Sequence, residues 1–390
     1  MISGVENLNG IVEQHRIVVC VGSGGVGKTT ISAVVALHAA LEGKKVLVLT
    51  IDPAKRLANS LGVDALDNEA RQIPLEAFTA AGLEPKGELW AMMLDMKRSF
   101  DHLVDRYAPD EETRRKIYDN SLYQYFSTSM AGTQEYAAME RLFELYEEGD
   151  YDLIVLDTPP TAHALDFLDA PNRMADAVER SALQWIYKPS LATRKLGFGL
   201  FNMGTSYVLK TIARFTGSEM LDELKTFLLN FSHMFEGFRS RADKVRKILA
   251  SEVSAFLVVT SPDPMTVDEA RFMQARLLDE SIPFGGFIVN RVHKPYLARE
   301  ALQTPAAELA QQLAVCLGRD PNDGQMEDLG QALIQNALDF QTLADLDAQT
   351  LRGLRERTGN RTLIRHVPYF SRDIHSFEGL NQVRQELFGQ

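Results

Sequence analysis

Short apolar runs, each bounded by Gly, Asp or other turn-forming residues, recur along the chain. They span Arg16–Val21, Lys45–Thr50, Leu89–Leu94, Leu153–Leu156, Ala255–Thr260, Gly286–Val289 and Leu363–Val367. The runs are continuous rather than alternating, the pattern of strands buried on both faces of a parallel sheet. Helical periodicity fills the spaces between them, as in Ile31–Leu41. Strand–helix alternation predicts a doubly wound, mostly parallel α/β domain. Two long intervals, 97–135 and 171–250, carry only helical patterns, loops and many aromatics, and predict a discontinuous helical subdomain inserted into that core. A further helical insertion is expected over 295–357, poor in β-branched residues. The α/β core is then 15–96, 136–170, 251–294 and 358–390, with 1–390 forming a single unit.

Composition narrows the function classes. The 390 residues are 45% hydrophobic and 24% charged, with a formal net charge of −12. A chain this acidic is a poor nucleic-acid binder, because duplex affinity comes from Lys and Arg neutralising phosphates. The two cysteines, Cys20 and Cys316, cannot build a disulfide framework. No signal-peptide pattern and no run of 18 apolar residues is found, so a cytoplasmic protein is expected.

The sharpest motif is Gly22-Ser-Gly24-Gly25-Val26-Gly27-Lys28-Thr29-Thr30, which fits GxxxxGK[ST]. It follows an expected strand and opens an expected helix, the context this phosphate loop requires. Its glycines let several backbone N–H groups converge on phosphate oxygens. Lys28 adds a positive charge near the β and γ phosphates, and the Thr29 hydroxyl can ligate Mg²⁺. The helix N-terminus contributes its dipole. ATP and Mg²⁺ are the expected cofactors. Asp157 ends an apolar strand, where a carboxylate can hold the metal or its water. Asp52 ends another, although Asp-Pro also starts turns well.

These three strand ends together resemble the arsenical-pump ATPase family, which includes the cytosolic ATPases that target tail-anchored membrane proteins. The family's phosphate loop, GKGGVGKT, corresponds to Gly22–Thr29. Its first switch, DPAHxLSDAF, corresponds to Asp52–Leu61, and its second, DTAPTGHxLRxLxxP, to Asp157–Pro171. The resemblance implies a base contact for Asn290 and, in the Pro-containing loop of the last strand, nucleotide binding by Pro368. It also implies a catalytic set of Lys28, Asp52 and Asp157, with Thr29 and Asp52 at the metal directly or through water.

Four departures qualify it. Ser23 replaces a signature lysine that reaches the partner's nucleotide, so a paralogous partner or another cation must supply that charge, or the cross-subunit step differs. Asn59 replaces a water-orienting Asp, which implies slow hydrolysis. The cysteine pair that shares zinc across the targeting dimers is absent, so no zinc is expected. The metalloid-binding cysteines are missing too. A single phosphate loop implies a second chain, giving a homodimer or a heterodimer with a paralogous ATPase.

Residues 180–218 hold six basic and no acidic side chains, interleaved with apolar ones. Lys195, Lys210, Arg214, Phe198, Phe201 and Phe215 are the expected client-facing residues, toward a hydrophobic segment of a membrane protein or an anionic membrane surface. A solvated basic face reads equally well from the residues alone. The Phe227, Phe231, Phe235 and Phe238 stripe is expected to be buried packing or an apolar binding face. The leading expectation is an ATP-driven dimeric switch controlling a hydrophobic client or membrane partner. An ATPase subunit of an anion transporter and a surface-partitioning ATPase remain alternatives, with a metabolic kinase weaker.

Overall fold

The computed structural model describes residues 7–51, 56–121, 123–124, 127, 133–158, 240–241, 243–299, 301–320 and 324–389. All seven apolar runs are strands. In chain order the strands are β1 (Ile17–Val21), β2 (Lys45–Thr50), β3 (Arg71–Gln72), β4 (Glu88–Met93), β5 (Leu153–Asp157), β6 (Ser254–Thr260), β7 (Phe284–Val292) and β8 (Ile364–Pro368). They form one sheet in the order β3-β4-β2-β5-β1-β6-β7-β8. Every pairing is parallel except the short antiparallel edge β3–β4. That edge is two exposed residues, too short to leave a periodic trace in the sequence.

Successive strand residues face opposite sides of the sheet, which is why the runs are apolar throughout. One face, through Val18, Cys20, Val46 and Val48, packs helices Leu8–Gln14, Lys28–Leu41 and Phe377–Phe388. The other, through Ile17, Val19, Leu47 and Leu49, packs helices Met96–Tyr107, Thr133–Glu148 and Pro264–Asp279. Phe100, Leu103, Val104 and Ile117, within the first stretch expected to be helical, belong to this same cluster. The helix Thr133–Glu148 begins before the boundary expected at 136 and runs into β5. Most of the second stretch, from 171 to 239, lies outside the described residues. Within 295–357 the chain forms a helix Ala306–Leu317 packed against the 35-residue helix Gly324–Thr358.

The parallel order sends the carboxyl ends of β1, β2, β5, β6 and β7 to one edge. Ligands of open α/β sheets bind at that edge, where the direction of winding reverses. Here β5 returns between β2 and β1.

Candidate active site

β1 delivers the chain from Val21 into the glycine loop at the centre of this edge. Gly25 and Gly27 adopt φ values of 78° and 97°, left-handed conformations that favour glycine. A Cβ on Gly27 would sit 2.2 Å from Asn290 Nδ2, so strain and space both demand glycine there. The crest, Gly24 and Gly25, is exposed. The Lys28 ammonium donates to the carbonyls of Gly22 and Ser23, both at 2.9 Å, so the loop wraps around its own cation. Helix Lys28–Leu41 starts at Gly27 with no side-chain cap, whereas Asn7, Asp95, Asp263 and Ser376 cap their helices. Uncapped first-turn N–H groups, a wrapped lysine and an exposed glycine crest make an anion cradle. The residues present fit a nucleotide polyphosphate.

Asp157 closes the site from β5. Its side chain is fully buried. The Thr29 and Thr50 hydroxyls donate to the same oxygen, Oδ2, at 2.7 and 2.8 Å. Strand register explains this: Asp157 lies opposite Cys20 on β1 and Thr50 on β2. A carboxylate touching the Thr29 hydroxyl suits a hydrated Mg²⁺ beside that hydroxyl. Thr158 fastens the next residue by donating to the Cys20 carbonyl at 2.8 Å. The Cys20 thiol, buried in β1, is pushed up to about 12 by desolvation, which keeps it un-ionised beside the loop.

Asn290, at the end of β7, donates through Nδ2 to the Val26 carbonyl at 2.9 Å and so buttresses the phosphate loop. Pro368 ends β8 opposite Val292, and Tyr369 N–H donates to the Val292 carbonyl at 2.9 Å. Ser23 donates its hydroxyl to Glu269 on helix Pro264–Asp279. The position where the resemblance expects a lysine therefore carries a neutral side chain tied to a carboxylate. Thr30 lies on the first helical turn. Asp52, like Lys195, Phe198, Phe201, Lys210, Arg214 and Phe215, lies outside the described residues. Sequence reasoning missed Thr50 and Glu269. Thr50 had a signal, a polar residue closing an apolar strand. Glu269, 246 residues from Ser23, had none.

A family model described as anion-transporting ATPase matches residues 15–300. The chain belongs to that family. Its members are ATPases by name, as the phosphate loop and Asp157 lead one to expect. The chain is 26% identical over 285 residues to a protein of Aquifex aeolicus named for driving an arsenical pump, covering 71% of this chain and 63% of that one, just under two-thirds. It is 25% identical over 291 residues to the ATPase GET3C of Arabidopsis thaliana, covering 72% and 68%. It is 26% identical over 294 residues to the ATPase get3 of Aspergillus terreus, covering 74% and 77%. Both branches expected from the sequence are thus represented among its relatives. The pair of helices within 306–358, and β8, lie beyond the stretch matched by the family model. Among the described residues no helix is long and apolar enough to cross a membrane.

Proposed function

We propose that this chain is an ATP-hydrolysing switch that works as a dimer in the cytoplasm. Its nucleotide state would control a hydrophobic client or membrane partner held by the helical subdomain, 97–135 and 171–250. The single observation carrying the ATP part is the Thr29–Asp157–Thr50 arrangement at the foot of the wrapped Lys28 loop. In this reading Lys28 leaves the Gly22 and Ser23 carbonyls to face the β and γ phosphates. Backbone N–H groups of Gly24, Gly25, Val26, Gly27 and Thr30 hold phosphate oxygens. Mg²⁺, when bound, would supply neutralisation of the phosphate charge. Thr29 and Asp52 hold it directly or through water, and Asp157 orients the Thr29 hydroxyl. The second amide hydrogen of Asn290 stays available to the base while the first holds Val26, with Pro368 nearby on β8. Positioning and charge stabilisation carry the rate, with no covalent intermediate. The missing metalloid-binding cysteines argue against arsenite as a transported species, and the relatives named for GET3 are compatible with the client reading. An ATPase subunit of another anion transporter is the alternative, in keeping with the family description.

Light scattering with a non-hydrolysable ATP analogue, alongside binding of a labelled apolar helical peptide, tests the switch. The expected result is an ATP-dependent dimer that captures the peptide, with both effects abolished by Lys28→Ala. An unchanged mass and unchanged peptide binding with nucleotide would reject the switch. Normal turnover in Lys28→Ala would reject the active site itself.

A further inference from the structure

The end of β7 is shaped around one residue. Between Val289 and Val292 the strand advances three positions, while its partner β8 advances two, from His366 to Pro368. The extra residue makes a bulge at Asn290–Arg291, a device that re-aims side chains beside active sites. Arg291 has φ 63°, a left-handed conformation that costs energy for any residue with a Cβ. Contacts on either side hold it there. Asn290 grips the Val26 carbonyl through Nδ2 and accepts the Arg291 N–H through Oδ1 at 3.0 Å. Downstream, both the backbone N–H and ring Nδ1 of His293 bond Asp347 Oδ2, at 2.7 and 2.9 Å. Asp347 sits on helix Gly324–Thr358, beyond the family-matched stretch.

The neighbouring basic residues are neutralised. Lys294 pairs with Glu386 at 2.8 Å and Arg299 with Asp345 at 3.0 Å. Arg291 is exposed and has no carboxylate partner among the described residues. The phosphate loop, meanwhile, offers Ser23 bound to Glu269 in place of a second cation. A strained, braced and unneutralised arginine therefore stands one residue from the amide that touches the loop. We propose that the Arg291 guanidinium binds polyphosphate oxygens of the nucleotide in this chain's own loop. It supplies there a second positive charge beside that of Lys28. A guanidinium fork matches two phosphate oxygens at once, which a lysine does not. Asn290 and Asp347 act as positioning residues for it.

This inference rests on the ATP reading above, and calorimetry separates the two. Mg-ATP, Mg-ADP and inorganic triphosphate are titrated into the wild-type chain and into Arg291→Ala, Arg291→Lys and Arg291→Gly. Failure of the wild type to bind Mg-ATP sinks the ATP reading. If it binds, Arg291→Ala and Arg291→Gly should weaken all three ligands by about 10- to 100-fold, the range of a charged hydrogen bond, with Arg291→Lys between. Arg291→Gly relieves the left-handed strain, so its melting temperature should stay level or rise by about 1–3 °C, which shows that the loss is not unfolding. Unchanged affinities overturn the proposal. So does a loss confined to ATP and ADP with triphosphate spared, because the side chain would then be stacking on the base.

Discussion

Asp157 and Glu140 are both carboxylates taken out of water, 0% and 4% exposed, and the protein compensates them by opposite means. Asp157 sits at the sheet edge and accepts two threonine hydroxyls delivered by strand register and a helix start. Glu140 lies within helix Thr133–Glu148 and meets Arg241, which arrives from 101 residues further along the chain. The Arg241 guanidinium lies over the rings of Phe143 and Tyr107, at 4.9 and 5.6 Å. Arg106, Arg141 and Glu144 complete the cluster. Burial pushes the Glu140 carboxyl up to about 7, against the opposing pull of Arg241 and Arg106, while Glu144 adds to the rise. Short neutral donors lock a geometry where a metal and phosphates must be received. A long cationic side chain instead joins helices, and leaves its carboxylate sensitive to pH.

Removing each compensation sharpens this contrast. Arg241→Ala should cost about 3–5 kcal/mol at pH 8, the range for an abandoned buried charge. The cost should shrink toward pH 5, where Glu140 becomes neutral. Urea unfolding at the two pH values measures it, and a loss independent of pH would show that Arg241 acts only by packing on Tyr107 and Phe143. Asp157→Ala leaves two hydroxyls without their acceptor, at about 1–3 kcal/mol for each one buried. Asp157→Asn keeps an acceptor oxygen, so it should retain most stability and ATP affinity while hydrolysis falls. Equal destabilisation by Asn and Ala would mean that the charge, not the hydrogen bonds, holds the edge together.

A smaller effect follows from the raised Glu140 value. The folded state binds its proton more tightly than the unfolded chain, so stability falls as pH rises from about 4.5 toward 7 and then levels. The slope approaches about 1 kcal/mol per pH unit within that window. Glu140→Gln should flatten it, and an unaltered profile would assign the titration elsewhere. The smallest change serves as a surface reference. Leu346→Gln, on a side chain 55% exposed, should shift stability by less than about 0.5 kcal/mol in the same unfolding experiment.

The chain's own pattern was sufficient for the seven long strands, because a strand buried on both faces needs a continuous apolar run whatever its neighbours are. It was also sufficient to place the Gly22–Thr30 loop between β1 and its helix, and Asp157 at the end of β5. Each is a contiguous segment whose backbone conformation or strand-end position is written locally. Arg71–Gln72 escaped notice because two exposed residues carry no period. The joining of Thr29 and Thr50 on one Asp157 oxygen was decided only by the order β2-β5-β1, which alternation of strands and helices leaves open. The same holds for Asn290 on Val26, 264 residues apart, for Ser23 on Glu269, and for Glu140 against Arg241. Local sequence sets φ, ψ and burial preference over a few residues. A hydrogen bond or ion pair between distant segments depends on which elements become neighbours, and only the packed sheet and its helices determine that.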